Sequence, residues 1–328
     1  MMSNHAILRC GRAVLVSSCL ALAAPPAMAG QDGGVLKVCA DPANLPLSND
    51  KGEGYENKIA EALAHDLKLR VEYTFFPQRI GFVRNTLRFK DEQSQQYKCD
   101  LIIGVPKDYE LTATTQPYMH STYALIFSSR NDFTRLRTAK DLLELPRATL
   151  DALHIGVFTK SPGADWLLKH DLMDHAAVYS HQNGDVEESP ARTIGRDLAN
   201  GKIDGAILWG PIAGMLAQQR DKEPRWRAVP FEPDPAIKFD YEISMGLRKG
   251  EQQWKDTLDQ WISAHQPQID SILTSYNVPL VDGAGHVNSN AADTAGHVRS
   301  NADTTGQVGS SAADTAGHVS SNAKDGNL

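Results

Sequence analysis

Cysteine is scarce in this sequence of 328 residues: four occur, and Cys10 and Cys19 lie close to the N-terminus. From residue 283 to the C-terminus there is no cysteine, proline or aromatic residue, and Leu328 is the one leucine. A segment with so little apolar surface cannot offset the entropy cost of ordering its backbone. Residues 283–328, which repeat a short unit every ten or eleven residues, are therefore predicted to form a disordered tail.

Other absences argue against whole classes of protein. After residue 29 no apolar run is long enough to cross a bilayer, so we predict no membrane insertion. Acidic residues outnumber basic ones by 40 to 33, for a formal net charge of −7, whereas binding to nucleic acid requires clustered Lys and Arg. Nucleic acid is therefore not predicted as a partner. Since no catalytic triad string, phosphate-binding loop or paired metal-ligand spacing occurs, we predict no enzyme, no metal site and no cofactor.

The N-terminal segment has the three parts of a secretory signal. Arg9 and Arg12 precede an apolar run over residues 13–24, and Ala27-Met28-Ala29 provides an A-x-A cleavage site. We therefore predict export to the periplasm, with the signal peptide, 1–29, cleaved after its last alanine. A lipoprotein signal that ends at Cys19 is the alternative.

Export would leave Cys39 and Cys99 in the mature chain. An even pair of cysteines in an oxidising compartment favours a disulfide. Against this, Cys39 falls near the end of one predicted strand and Cys99 at the start of a parallel neighbour, an offset of roughly 10 Å at about 3.3 Å per residue. A disulfide requires Cα atoms within about 7 Å. The sequence is therefore compatible with a disulfide and with two buried thiols.

Between residues 30 and 282, short apolar runs alternate with helical stretches. Strands are predicted over residues 35–40, 69–76 and 101–105, with helices around Ile59 and over residues 82–89. A second set of strands is predicted over residues 123–128, 154–158, 203–209 and 241–247, with a short strand that begins at Tyr179. The helices of this set are predicted over residues 141–145, 212–219 and 254–262, and around Trp166, Ile194 and Ile269. Buried strands that alternate with helices predict parallel sheets.

The order of these elements predicts two lobes. The chain is expected to leave the first lobe near residue 125 and to return to it near residue 243. The first lobe would comprise residues 30–125 and 243–282, and the second lobe would comprise residues 126–242. Two crossings predict a hinge of two strands with a cleft between the lobes.

Five strings of residues in the first lobe resemble those of a known family. They are VCADPANLP at residues 38–46, GYENKIA at 54–60, PQRIGFVRNTL at 77–87, CDLIIGVP at 99–106 and TQPY at 115–118. Their order and spacing resemble the periplasmic solute-binding protein superfamily of the amino-acid-binding type, family 3. More narrowly, they resemble its branch associated with PQQ-dependent methanol dehydrogenases, the MxaJ and XoxJ accessory proteins. The resemblance covers about residues 35–281.

This resemblance implies an α/β fold of the periplasmic-binding-protein type II, with two α/β lobes joined by a two-strand hinge. It also implies a non-catalytic periplasmic protein that binds the large subunit of a PQQ-dependent methanol dehydrogenase and assists its maturation or activation. The cytochrome c of that dehydrogenase is a further expected partner. The alternative is the substrate-binding subunit of an ABC transporter for a small organic molecule.

The sequence departs from the family at two ligand-binding positions. Amino-acid binders are expected to hold the ligand carboxylate with an Arg after the third strand and the ligand amine with an Asp in the second lobe. Counted back from Tyr118, the Arg position falls at Asp108, and the Asp position falls at Trp209. An Asp repels a carboxylate, and an indole cannot pair with an ammonium by charge, although it can stack on one. Amino-acid capture is therefore predicted to be lost.

Further residues are expected to line the cleft together with Asp108, Tyr118 and Trp209. One set follows the first two strands at their C-terminal ends, where ligands bind in open parallel sheets: Asp41, Asn44, Phe76 and Gln78. Turn and capping roles are the alternative for the first two of these. Lys160 and Ser161 open a predicted helix whose N-terminus favours an anion, and a plain Ser N-cap is the alternative.

One predicted helix also carries a concentration of positive charge. Four basic residues surround it together with Phe82 and Phe89: Arg79, Arg84, Arg88 and Lys90. The pattern is compatible with a basic protein-docking face. The alternative is a solvated helix whose aromatic residues face the core.

Overall fold

A computed structural model of the chain describes residues 34–128, 133, 136–180, 189–218 and 226–288. These residues all belong to one compact unit. The predicted signal peptide and the predicted tail beyond residue 288 lie outside the described residues. In the part of the chain that is described, no helix is long and apolar enough to cross a membrane.

Strands and helices alternate along the chain as the apolar pattern predicts. The strands are β1 Val35–Ala40, β2 Ala43–Asn44, β3 Ser48–Asn49, β4 Arg70–Phe75, β5 Leu101–Pro106, β6 Ala113–Ser128, β7 Ile155–Phe158, β8 Ala176–Tyr179, β9 Gly205–Trp209, β10 Trp226–Pro230 and β11 Asp240–Leu247. The helices are α1 Tyr55–Asp66, α2 Phe82–Asn85, α3 Arg147–Leu150, α4 Pro162–Lys169, α5 Pro190–Ala199, α6 Gly210–Ala217 and α7 Gln252–Ser275, with 3₁₀ turns at Ala139–Glu144 and Met173–His175.

A mixed sheet of nine strands forms the centre of the described structure, in the order β4-β1-β5-β11-β6-β9-β7-β8, and β10 pairs with β6. We call β4, β1, β5 and β11 its first half, and β9, β7, β8 and β10 its second half. The pairs of β1 with β4 and β5, and of β7 with β8 and β9, are parallel, as predicted. β11 and β6 are antiparallel to their neighbours.

Apolar clusters cover both faces of each half of the sheet. In the first half, one cluster contains Ile59 and Leu63, which lie four residues apart on one face of α1 and are fully buried. The opposite face is covered by a smaller cluster around Phe82 and Leu87. In the second half, Trp166 of α4 lies in the cluster on one face and Ile194 of α5 in the cluster on the other. The result is a layered α/β arrangement.

Strand β6 belongs to both halves. Its 16 residues span roughly 50 Å at about 3.3 Å per residue. Residues Ala113–Thr122 pair with β11, and Tyr123–Phe127 pair with β9. The predicted strand over residues 123–128 is therefore only the second part of a longer strand. The described residues form one compact unit, so the predicted lobe boundaries stay a prediction.

Several elements differ from their predictions. The helix predicted over residues 82–89 ends at Asn85, and the strand expected to begin at Tyr179 instead ends there. The two helices predicted near the end of the core form the single helix α7, which continues through Pro267 because Ile269 and Leu273 beyond it are buried in the first-half core. Strand β10 has no counterpart among the predicted strands.

The segment after α7 packs against both strand β6 and helix α6, which lies in a cluster of the second half. The Ser121 hydroxyl donates to the Pro279 carbonyl over 2.7 Å. A Cβ at Gly214 of α6 would clash with the Asn277 carbonyl, so this close packing requires glycine. The prediction that the disordered tail begins at residue 283 is too early, because Val287 bridges back to Val281.

A disulfide joins Cys39 and Cys99, whose Cα atoms lie 5.5 Å apart. The larger separation expected from the strand offset is wrong, because the chain before β5 does not extend that strand backwards. Instead it approaches the sheet over β4, where the Thr74 hydroxyl donates to the Lys98 carbonyl over 2.8 Å. Thr74 pairs with Cys39 in the sheet. Cys99 directly follows Lys98 in the chain and therefore lies beside Cys39.

Replacement of both cysteines by alanine is expected to lower the free energy of unfolding by about 4 kcal/mol, because the bridge closes a loop with a sequence separation of 60 residues. Urea denaturation of the wild-type and variant chains measures the difference. A reducing agent should lower the wild-type midpoint and leave that of the variant unchanged. If the two chains had equal urea midpoints and a reducing agent changed neither of them, the assignment of a disulfide between Cys39 and Cys99 would be contradicted.

Candidate binding cleft

Polar side chains meet at the C-terminal ends of β1, β4 and β5, as predicted for this edge of the sheet. The Asp41 carboxylate accepts hydrogen bonds from the backbone N–H groups of Ala43 and Gln78. The Asn44 side-chain amide donates to Gln78 Oε1 over 3.1 Å, and Gln78 Nε2 donates to the Gly104 carbonyl over 3.4 Å. Asp41 therefore forms a turn with Ala43 and also joins the ends of two strands.

A buried carboxyl group that the sequence analysis did not select lies beside this network. Glu56, in the first turn of α1, is 6% exposed. Burial, and secondarily the Asp41 carboxylate, raises its pKa from the ordinary 4.5 to about 8. At neutral pH Glu56 is therefore mainly protonated and uncharged, and its carboxyl group can donate a hydrogen bond.

Gly104 makes room for this carboxyl group. A Cβ at position 104 would clash with Glu56 Oε1 and would lie 3.6 Å from Tyr118 Oη. Neither of these two oxygens has a hydrogen-bond partner among the described residues. Two buried oxygens without partners thus border the same glycine, an arrangement that suits a bound polar group or water.

Tyr118 itself does not line an open surface, contrary to the prediction. Its side chain is 1% exposed and belongs to the first-half core. Its position in β6 points the ring under α1, and only its hydroxyl reaches the edge near Gly104. Phe76 is half-buried and packs against the cluster on the opposite face of the sheet.

In the second half, Ser161 has the capping role that the alternative interpretation gives it. Its hydroxyl donates to the Phe158 carbonyl over 2.7 Å and accepts from the Ala164 N–H over 3.2 Å, and the residue is 1% exposed. Lys160 is exposed, with a positive φ of 55°. The Ser161 hydroxyl is occupied within the helix cap, and anion binding at the backbone N–H groups of this helix N-terminus stays a prediction.

Trp209 ends β9 and forms an aromatic cluster with two strand residues. Its ring centroid lies 5.6 Å from that of Tyr123 and 6.0 Å from that of Tyr241, both edge-on. Tyr123 is on β6 and Tyr241 on β11, so the cluster lies where strand β6 passes into the second half. Burial, and secondarily Tyr241, raises the pKa of Tyr123 to about 12.

Tyr241 is influenced by its burial and by nearby acidic residues. Burial raises the pKa of Tyr241, and the nearby carboxylates of Asp240 and Asp165 add to the effect. Asp165 is in the first turn of α4. The Asp41 network lies at the strand ends of the first half, and the Trp209 cluster lies at the end of β9.

Asp108 lies in the exposed turn after β5, with a positive φ of 59°. Its backbone N–H donates to the Thr114 hydroxyl over 3.3 Å. The neighbouring cation is already neutralised, since Lys107 Nζ lies 2.8 Å from the Glu242 carboxylate. This turn therefore supplies no group for a ligand carboxylate.

The chemistry of these residues suits an uncharged polar ligand. Both oxygens of Asp41 accept backbone hydrogen bonds, Glu56 is mainly neutral, and Asn44 and Gln78 carry amides. In the described residues no group of three or more His, Cys, Asp or Glu side chains could hold a metal ion.

Sequence reasoning missed Glu56 and Tyr241. An acidic residue in the first turn of a helix usually occupies an exposed position that suits the helix dipole, and only the space over Gly104 buries this one. Tyr241 falls in a predicted strand, but its contacts with Tyr123 and Trp209 depend on how neighbouring strands are aligned in the sheet, which the sequence does not show. The string GYENKIA is the available signal for Glu56.

Comparison with known proteins supports the same fold and a narrower relationship. The solved structure of the periplasmic binding protein XoxJ from Methylobacterium extorquens AM1 is 34% identical, covers 75% of this chain and 99% of its own, and superposes with a TM-score of 0.59. Protein MoxJ of Methylorubrum extorquens is 26% identical over 76% of this chain and 83% of its own length. An ancestral amino acid-binding protein, 16% identical over 74% of this chain and 95% of its own, shares the fold with a TM-score of 0.51. No family model matches the chain.

The buried carboxyl group predicts a pH dependence of stability. Because the pKa of Glu56 is about 8 in the folded chain, the folded state retains a proton that the unfolded chain releases above pH 4.5. The contribution of this group to the free energy of unfolding should therefore fall as the pH rises from about 4.5 to about 8, by ~1.4 kcal/mol per pH unit. Urea denaturation of Glu56→Gln across this range should show a flatter profile.

Glu61→Gln is the matched control, because Glu61 lies on the same helix and is half-exposed beside Lys58. It should leave the wild-type profile in place. If Glu56→Gln and wild type lost stability in parallel between pH 5 and pH 8, the assignment of a neutral buried Glu56 would be refuted.

Proposed function

Because the chain belongs to the family of periplasmic binding proteins that includes XoxJ and MoxJ, we propose that it is a non-catalytic accessory protein of methanol oxidation. In this proposal it is exported to the periplasm, binds the large subunit of a PQQ-dependent methanol dehydrogenase and assists its maturation or activation. The observation that carries the proposal is the 34% identity to XoxJ over 99% of that chain.

The cleft residues support a protein partner over an amino acid. Asp108 and Trp209 stand where amino-acid binders are expected to have an Arg and an Asp, and the cation next to Asp108 is paired with Glu242. A free amino acid carries a carboxylate and an ammonium, and neither position offers a charge of the sign required. The two full charges of such a ligand would be desolvated without compensation.

A peptide segment of the dehydrogenase fits the available chemistry better. The amides of Asn44 and Gln78 and the neutral carboxyl group of Glu56 match the donors and acceptors of an uncharged main chain. The aromatic cluster around Trp209 provides stacking surface, and Trp and Tyr are among the residue types that contribute most to protein interfaces. We propose that the two halves of the sheet act as lobes around such a segment.

Binding of the immobilised mature chain to purified apo and holo methanol dehydrogenase tests this proposal. We expect binding of the apo form, and a loss of about tenfold in affinity for Trp209→Ala because the central aromatic contact is removed. Leu168→Ala is the control, since Leu168 is 66% exposed on α4 and should not change affinity. Thermal unfolding of both variants verifies that they are folded.

Failure of the wild-type chain to bind either form of the dehydrogenase would contradict the proposal. A thermal-shift screen of small organic molecules then distinguishes the transport alternative. A ligand that binds the folded state raises the unfolding temperature by mass action. A rise of several degrees with one compound, without binding to the dehydrogenase, would assign the chain to small-molecule transport.

A further inference from the structure

The crossover between β4 and β5 carries an unusual charge for this chain. Residues 79–98 contain three Arg and two Lys against one Asp and one Glu, a net charge of +3. The whole chain has a net charge of −7, so the remaining residues sum to −10. The basic groups of this segment are therefore set against an acidic background. We call the outer side of residues 79–98 the crossover surface.

None of these five cations forms a salt bridge with a carboxylate in the described part of the chain, whereas many other surface cations do, including Lys58, Lys107 and Lys169. Arg88 instead donates to the Leu111 carbonyl over 2.6 Å. Lys98 lies over the Phe89 ring at 3.8 Å, and Lys90 over the Tyr97 ring at 5.7 Å. The positive charge of the crossover is therefore held against rings and a carbonyl rather than cancelled by acids.

The two acidic residues reduce the charge of the segment from +5 to +3, and neither forms a salt bridge with these cations in the described part of the chain. Asp91 accepts hydrogen bonds from the Ser94 N–H and hydroxyl and from the Gln93 N–H, with distances of 2.7, 2.9 and 3.1 Å. These bonds, with Lys98 as a minor contributor, lower the pKa of Asp91. Its carboxylate is thus used to form the turn at the tip of the crossover.

Apolar side chains are exposed among the cations. Ile80 is 87% exposed, and Phe89, Tyr97 and Leu111 are 37–39% exposed. Phe82 of the same crossover is buried, as the solvated-helix interpretation expects, but Phe89 is not. Mixed Arg and aromatic surface of this kind is typical of protein interfaces.

Buried contacts anchor the end of the crossover to the sheet. The buried Arg248, at the start of the turn before α7, donates to the carbonyls of Leu87 and Cys99 and to the Asp100 carboxylate over 3.3, 2.6 and 2.7 Å. Its guanidinium also lies 4.1 Å from the Tyr97 ring centroid. Together with the disulfide, these contacts fix the end of the crossover, so the surface is preorganised for binding.

We propose that the crossover surface docks onto an acidic, partly apolar patch of a folded protein partner. The proposal rests on the proposed function, which makes that partner the methanol dehydrogenase. Arg side chains that are not engaged by acids suit bidentate contacts with carboxylates. An anionic lipid surface offers the same sign of charge, and the test below includes it as a separate outcome.

Charge reversal at two exposed positions that form no salt bridge in the described part of the chain tests the docking surface. The full mature chain carrying Arg84→Glu and Lys90→Glu should bind immobilised dehydrogenase at least about tenfold more weakly, because two attractive contacts become repulsive. The control carries Lys68→Glu and Lys140→Glu, the same change in net charge at exposed sites elsewhere, and should lose less than about twofold. Ile80→Asp should also weaken binding.

Salt provides a second readout. Raising the NaCl concentration from about 50 mM to about 300 mM should weaken wild-type binding more than binding of the Arg84→Glu and Lys90→Glu variant. Equal affinity of the two double variants for the dehydrogenase would overturn the docking surface and leave the proposed function intact. Absence of binding by the wild-type chain would remove both. The Arg84→Glu and Lys90→Glu variant alone could lose binding to phosphatidylglycerol vesicles while its binding to the dehydrogenase stays unchanged. That result would assign the surface to lipid and overturn the proposal.

Discussion

Strand β6 is the constraint on which the rest of the structure depends. It pairs with β11 along its first part and with β9 and β10 along its last part, so one strand belongs to both halves of the sheet. Each half has its own apolar clusters, yet the backbone hydrogen bonds continue from one to the other. The aromatic cluster around Trp209 forms where this strand passes between the halves, and the segment after α7 packs along it. The position of the Asp41 network relative to the Trp209 cluster is therefore set by the continuous backbone hydrogen bonds of β6 with β11 and β9.

The polar network at the strand ends shows how a binding-protein fold can be retained while its charge chemistry changes. Asp41 uses its carboxylate to hold two strand ends together, and Glu56 is neutralised by burial. At the positions expected to grip an amino acid, the chain has Asp108 in an exposed turn and Trp209 in an aromatic cluster. What remains is a hydrogen-bonding, weakly charged surface that suits a main chain. The strong positive charge lies elsewhere, on the crossover surface, where solvent-exposed cations cost little.

Much of the fold could be predicted from the sequence because local patterns determine it. Apolar runs predict β1, β5, β7 and β9, and the spacing of apolar residues predicts α1 and the two parts of α7 on either side of Pro267. The ends of the first two predicted strands also lead to Asp41, Asn44 and Gln78, which the structure joins in one network. The failures share a cause, which is that they depend on contacts between distant segments. The disulfide required the path of the chain over β4, the burial of Glu56 required a glycine in a different strand, and Tyr118 is turned into the core by the register of β6. No local pattern reports such distances.

The central claim is that this chain binds a protein partner through its cleft edge and its crossover surface. Hydrogen–deuterium exchange of the mature chain, alone and with excess apo methanol dehydrogenase, tests it most directly, since exchange reports where backbone amides become protected. The account predicts slower exchange over residues 41–54 and 77–98 in the presence of the dehydrogenase, and unchanged exchange over the outer part of α4. Identical exchange in both conditions, or protection confined to regions away from these two segments, would contradict it.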